Sequence, residues 1–135
     1  MNENTVGSIG KGLLLLVGVG KSDNAADADY LLEKTLGLRV FPDTAGKMNL
    51  NVQEAGGALL IISQFTLYGD CRRGRRPSFD NAAPPEQAQA LYNYFVESAK
   101  RGPVAVEMGV FQAMMQVHLI NDGPVTIWLD SADRR

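Results

Sequence analysis

The segment that most constrains this chain is residues 58–68, ALLIISQFTLY. Leu and Ile followed by Phe and Tyr is the composition of a buried β-strand, and such a strand must be covered by other elements. Residues 13–19, LLLLVGV, form a second short apolar run closed by glycine, and they too read as a buried strand. With 135 residues the chain has the length of one domain, residues 1–135. A chain of this size buries roughly 65–70% of its unfolded surface, enough for a core without a disulfide or metal. Apolar residues make up 45% and charged residues 21%, a balance that argues against disorder.

Helical periodicity separates the strands. Ser22, Asp23 and Asn24 offer N-cap side chains, and residues 25–35 follow with Ala28, Leu31, Leu32 and Thr35 on one face. Gly37 ends that helix, residues 38–41 resume as a strand, and Pro42-Asp43-Thr44-Ala45-Gly46 reads as a turn. Pro84-Pro85 open a second helix, in which Ala88, Leu91, Tyr92, Phe95 and Ala99 make an apolar stripe. Gly102-Pro103 close it. Residues 104–108, 114–120 and 125–129 read as three closing strands, the last two joined by Asn121-Asp122-Gly123-Pro124. The expectation is an α+β fold with largely antiparallel sheets, barrel-like or layered, and two helices.

Composition also excludes chemistry. One cysteine, Cys71, leaves neither an intrachain disulfide nor a cysteine-based zinc site, and one histidine, His118, leaves no multi-histidine metal centre within a chain. The nucleotide and zinc motifs GxxxxGK[ST], GxGxxG and HExxH are absent. No cofactor is expected. No run approaches the roughly 20 apolar residues of a membrane span, and the polar, acidic start resembles no signal or transit peptide. A cytoplasmic protein without membrane contact is the simplest expectation.

Three clusters remain as candidate sites. Ser63-Gln64-Phe65-Thr66 ends an otherwise apolar strand with hydroxyls and an amide. Such groups either cap the strand end or stabilise negative charge developing on a carbonyl oxygen. By strand alternation Ser63 and Phe65 face one way, Gln64 and Thr66 the other. A serine or threonine nucleophile needs a base, and His118 lies far along the chain with no GxSxG elbow around Ser63. Arg72, Arg73, Arg75 and Arg76 put four cations into five positions, although the net charge is only −2. That loop either keeps the surface solvated or grips phosphates, with Tyr68 and Phe79 near enough to stack bases of a single-stranded RNA end. Cys71 sits inside the cluster, where cations would lower its pKa, but no partner histidine is indicated. Asn121-Asp122-Gly123-Pro124-Val125-Thr126 is either an ordinary hairpin turn or a rigid one that offers carbonyls to a ligand.

Taken together and in order, these segments resemble the D-aminoacyl-tRNA deacylase family. Ser63-Gln64-Phe65-Thr66 is similar to its SQxT motif and residues 121–126 to its NxGPxT motif. Gly10-Lys11-Gly12, Gly46-Lys47-Met48-Asn49, Gly74-Arg75-Arg76-Pro77-Ser78-Phe79 and Ala83-Pro84-Pro85 fit as well, so that the resemblance spans residues 5–130. It implies a homodimeric editing hydrolase that cleaves the ester between a D-amino acid, or glycine, and the 3′-terminal adenosine of tRNA. Ser63, Gln64, Phe65 and Thr66 would line the catalytic pocket. Gly123 and Pro124, in a cis Gly-Pro turn supported by Asn121 and Thr126, would enter the partner subunit's pocket and reject L-amino acids by collision. The tRNA 2′-hydroxyl would help to activate water, Thr66 being the rival as nucleophile. Arg72, Arg73, Arg75 and Arg76 would bind tRNA. The resemblance also implies a first strand carrying Gln-Arg-Val, which is expected to be absent here, and an aspartate where this chain has Met114. Two other functions fit the same residues: a catalytically impaired dimer that binds RNA ends, and a conventional Ser/Thr esterase.

Overall fold

The computed structural model describes residues 5–123 and 125–133. Its central sheet has three strands in the order β1-β4-β5, with β1 at Gly12–Val17, β4 at Ala58–Ser63 and β5 at Val106–Met108. Both pairings are parallel, Leu13 opposite Leu59 and Ile61 opposite Met108. Parallel neighbours need a crossover, and the two helices supply it. α1, Ala25–Gly37, lies between β1 and β4 in sequence, and α2, Pro85–Lys100, between β4 and β5. A short antiparallel pair, β2 at Phe41–Pro42 and β3 at Met48–Leu50, forms a separate sheet. The fold is thus a mixed α/β one with two helices and small sheets.

The expected antiparallel character is corrected here. Among the described residues it is confined to β2–β3 and two isolated bridges, and the strands form two separate sheets rather than a barrel. The physical reason lies in β1 and β4, which are continuous apolar runs, the pattern of strands covered on both faces, and not alternating ones. Residues 114–120 and 125–129 form no ladder in this chain, although they were expected to be strands. Met115, Val125 and Leu129 are half-buried, but Met114 and Ile120 are 94% and 92% exposed.

Local chemistry explains both helices. Asn24 caps α1 by accepting from Ala26 N–H at 3.0 Å, while Asp27 accepts from Asn24 N–H at 2.9 Å, a reciprocal box. Pro85 opens α2, where its missing N–H has no helical acceptor to lose. Ala88, Tyr92, Phe95, Val96 and Ala99 are buried, so the expected stripe holds, widened by Val96. Tyr92, Phe95, Val96 and Ala99 pack with Leu59 and Ile61 of β4, against which Leu13, Leu15 and Val17 of β1 also lie, while Ala88 packs with Val19 and Ala83. The buried Tyr92 hydroxyl donates to the Ile61 carbonyl at 2.7 Å and ties α2 to β4 two residues before its end. Leu60 and Ile62 face the other way, into an open concavity of about 3140 Å³ shared with residues 114–123 and 125–131. That volume is several times a small-ligand pocket of roughly 300–1,000 Å³, so it is a gap between layers.

Candidate functional site

β4 ends at Ser63, and the chain tightens at once into a 3-10 turn, Phe65–Tyr68. The turn is seated by backbone bonds: Gln64 N–H donates to Val17 O at 2.8 Å, Leu67 N–H to Gln64 O at 3.2 Å and Gly69 N–H to Thr66 O at 3.0 Å. The strand ends at Ser63, so the grouping of Gln64 with Thr66 is set by the 3-10 turn rather than by strand alternation. Gln64 and Thr66 are on one side of the turn, and the Gln64 side-chain amide donates to Thr66 Oγ1. Thr66 thus uses its oxygen as an acceptor, leaving its own proton for another partner. Ser63 is half-buried, while Phe65 is 56% exposed.

The arginine loop is fastened to this turn. Phe65 and Phe79 make a tilted ring pair with centroids 5.0 Å apart. Asp70 and Ser78 close the loop with two backbone bonds, Asp70 N–H to Ser78 O at 2.7 Å and Ser78 N–H to Asp70 O at 2.9 Å. Within the loop Arg72 is held: its Nε and Nη2 donate to the two Asp70 oxygens at 2.9 and 2.7 Å. Its backbone N–H also reaches Asp70 Oδ1. These bonds hold the Asp70 carboxyl down at about 2. Arg73, Arg75 and Arg76 are exposed and, among the described residues, have no ion-pair partner. Composition did not single out Asp70, although an aspartate two residues before Arg72 is a turn-forming pattern.

The third cluster follows late in the chain, at residues 121–126. Asn121 Nδ2 donates to Thr126 Oγ1 at 3.1 Å. Gly123 has φ +136°, a value that L side chains rarely adopt. Pro124 lies outside the described residues. Asn121, Gly123 and Thr126 line the large concavity; Ser63, Gln64, Phe65 and Thr66 do not. The same concavity is lined by Leu67–Arg72, so within one chain the start of the arginine loop and the 121–126 segment face a common space, while Ser63–Thr66 lie outside its lining. His118 is exposed, its Nε2 3.3 Å from Gln116 Oε1, and Cys71 is exposed. Among the described residues there is no cluster of metal-ligating side chains, and no helix is long and apolar enough to cross a membrane.

The polar strand end and the cationic loop are thus fastened together at the end of a parallel α/β sheet. The family model described as D-Tyr-tRNA(Tyr) deacylase matches residues 1–130. The chain is 65% identical over 130 residues to a D-aminoacyl-tRNA deacylase of Solibacter usitatus, covering 96% of this chain and 86% of that one. It is 58% identical over 131 residues to one of Syntrophobacter fumaroxidans, covering 97% and 88%. Among solved structures it is similar to one titled c-Myc DNA Unwinding Element Binding Protein, at 40% identity and TM-score 0.84, covering 90% of this chain and 83% of that one. The chain belongs to the D-Tyr-tRNA(Tyr) deacylase family and is an ester hydrolase of the tRNA-editing class.

Proposed function

We propose that this single-domain chain hydrolyses the ester of D-aminoacyl-tRNA, and of mischarged glycyl-tRNA, at the 3′-terminal adenosine, and spares L-aminoacyl-tRNA. The observation that carries the proposal is the Phe65–Phe79 contact, which holds the polar strand end against the arginine loop. A tRNA end whose phosphates lie along Arg73, Arg75 and Arg76, with Arg72 held on Asp70 to shape the loop, reaches residues 63–66 with its last nucleotide. Ser63, Gln64, Phe65 and Thr66 enclose the ester there. Hydroxyls and amides at the strand end stabilise the charge that develops on the carbonyl oxygen. No side-chain base is assigned. The 2′-hydroxyl of the adenosine helps to activate water, which attacks the ester carbon, and the ribose oxygen leaves. Lacking a base, Thr66 ranks below water as the nucleophile.

Chirality is read by collision. In a homodimer the Gly123-Pro124 turn, cis at that bond and braced by Asn121 and Thr126, enters the partner's pocket. It leaves room for hydrogen where an L-residue carries its side chain. One feature supports a site shared by two copies: Met114, Val117, Leu119, Ile120, Ile127 and Trp128 expose apolar side chains, Trp128 by 66%, that a second copy would cover. The setting is cytoplasmic, where tRNA is charged.

The test is deacylation of D-tyrosyl-, glycyl- and L-tyrosyl-tRNA by the purified protein and by Gly123→Ala and His118→Ala. The first two substrates should be cleaved and the third spared. Gly123→Ala should lose discrimination, and His118→Ala should keep kcat within about twofold. Tight tRNA binding without release of any acyl group would favour an RNA-end-binding protein instead. Equal hydrolysis of both mirror forms would end the chiral reading.

A further inference from the structure

The turn that carries Gln64 and Thr66 is held from below by a contact outside the motif. Tyr68 closes that turn, and its hydroxyl reaches Asp23 Oδ2 at 3.4 Å. The same oxygen accepts Gly20 N–H at 2.7 Å. Asp23 therefore fastens two things at once: the loop leaving β1 and the end of the 3-10 turn. The loop in return is shaped to receive the tyrosine. A Cβ on Gly20 would stand 2.7 Å from Tyr68 Oη and 3.0 Å from its Cζ. One on Gly18 would stand 3.2 Å from Gln64 O and Leu67 Cβ, and 3.3 Å from Tyr68 Cδ2. A side chain at Gly20 would displace the ring, and one at Gly18 would press on it and on the turn. Gly20 is itself buried, so the contact is not a surface accident.

We infer that Tyr68, seated on Gly18 and Gly20 and anchored by Asp23, is the positioning residue that fixes residues 63–66 for the deacylation proposed above, on which this inference rests. The hydroxyl donates and takes no part in proton transfer. Burial and the nearby carboxylates of Asp23 and Asp130 push its pKa up to about 12, so it stays a donor throughout the working range. Tyr68 touches no substrate: its role passes through the backbone of the turn to Gln64 and Thr66. Small displacements of reacting groups are costly, about 100-fold for 1 Å, so a turn that loosens should show in turnover before binding.

The experiment compares wild type, Tyr68→Phe, Asp23→Ala, Asp23→Asn and the Tyr68→Phe/Asp23→Ala pair. Steady-state deacylation of D-tyrosyl-tRNA is measured beside amide hydrogen exchange at Gln64, Leu67 and Gly69. Tyr68→Phe and Asp23→Ala should each lower kcat roughly tenfold with KM unmoved, and should speed exchange at those amides. The double variant should be no worse than Asp23→Ala. Asp23→Asn, which keeps one oxygen to accept both donors, should restore kcat and protection. Wild-type kcat and exchange in Tyr68→Phe would overturn the inference, as would a rise in KM with kcat intact. If the wild type cleaves no D-aminoacyl-tRNA, the activity reading fails and exchange alone decides the positioning role. If Tyr68→Phe does not fold, Asp23→Ala against Asp23→Asn decides it.

Discussion

The arginine loop offers a prediction in which the structure sets the number. Four arginines suggest four phosphate contacts, but Arg72 is forked onto Asp70 through Nε and Nη2. Three cations, Arg73, Arg75 and Arg76, are left to displace counterions from RNA. On a single strand each neutralised phosphate contributes about 0.7 to the slope of log affinity against log salt. The loop's share is then a slope of about −2.1, an 18-fold loss of affinity between roughly 50 and 200 mM salt. Four cations would give about −2.8 and a 50-fold loss over the same range. Replacing Arg73, Arg75 and Arg76 by Ala should therefore flatten the slope by about 2. Arg72→Ala should leave it almost unchanged. Asp70→Ala, which frees Arg72, should steepen it by about 0.7. Filter binding or fluorescence anisotropy with uncharged tRNA at four or more salt concentrations reads these slopes directly. The reasoning is refuted if Arg72→Ala flattens the slope as much as Arg75→Ala. It fails equally if the triple variant keeps the wild-type slope, because the loop then faces away from the RNA.

Two further outcomes concern stability. Tyr92→Phe removes one buried hydrogen bond, while the Ile61 carbonyl keeps Gly109 N–H at 3.2 Å. The carbonyl is not orphaned, so the cost should be about 0.5–1.5 kcal/mol. At about 2.1 cal/mol/K per residue of unfolding entropy, that lowers the midpoint by roughly 2–5 °C. A calorimetric midpoint unchanged by the substitution would remove this tie between α2 and β4. Tyr68 gives a pH dependence of defined sign. Its pKa is raised from 10.0 to about 12 by burial first and by Asp23 and Asp130 next. The stabilisation is full below the unfolded value and is lost as pH rises through the folded one. Denaturant midpoints of the wild type should fall between pH 10 and 12, and those of Tyr68→Phe should fall less. Burial raises Tyr92 as well, so the variant should retain a residual slope. Superimposable curves for the two proteins would show that Tyr68 ionises freely.

Local signals were the readable part of this chain. Asn24 and Asp27 mark the start of α1, Pro85 that of α2, and the 3.6-residue stripe marks the face that α2 buries. Pairing was harder to read, because it depends on what covers a strand. The runs in β1 and β4 carried the parallel signature in their lack of alternation, yet the count of strands suggested hairpins. The segment at 114–129 alternates like a strand, yet among the described residues it pairs with neither edge strand of the sheet, β1 or β5, so alternation alone did not decide pairing. The site divides along the same line. Ser63, Gln64, Phe65 and Thr66 are neighbours in sequence and stay neighbours in space, so their motif was legible. Asp23 lies 45 residues before Tyr68, and no local pattern links them. What joins them is two glycines that let a ring come close to a backbone, and that signal becomes visible only once β1 and β4 are seen to be paired. A motif search finds residues that are neighbours in sequence. The residues that hold them in place are selected by packing at long sequence separation, so they are where substitutions should reduce turnover without touching the motif.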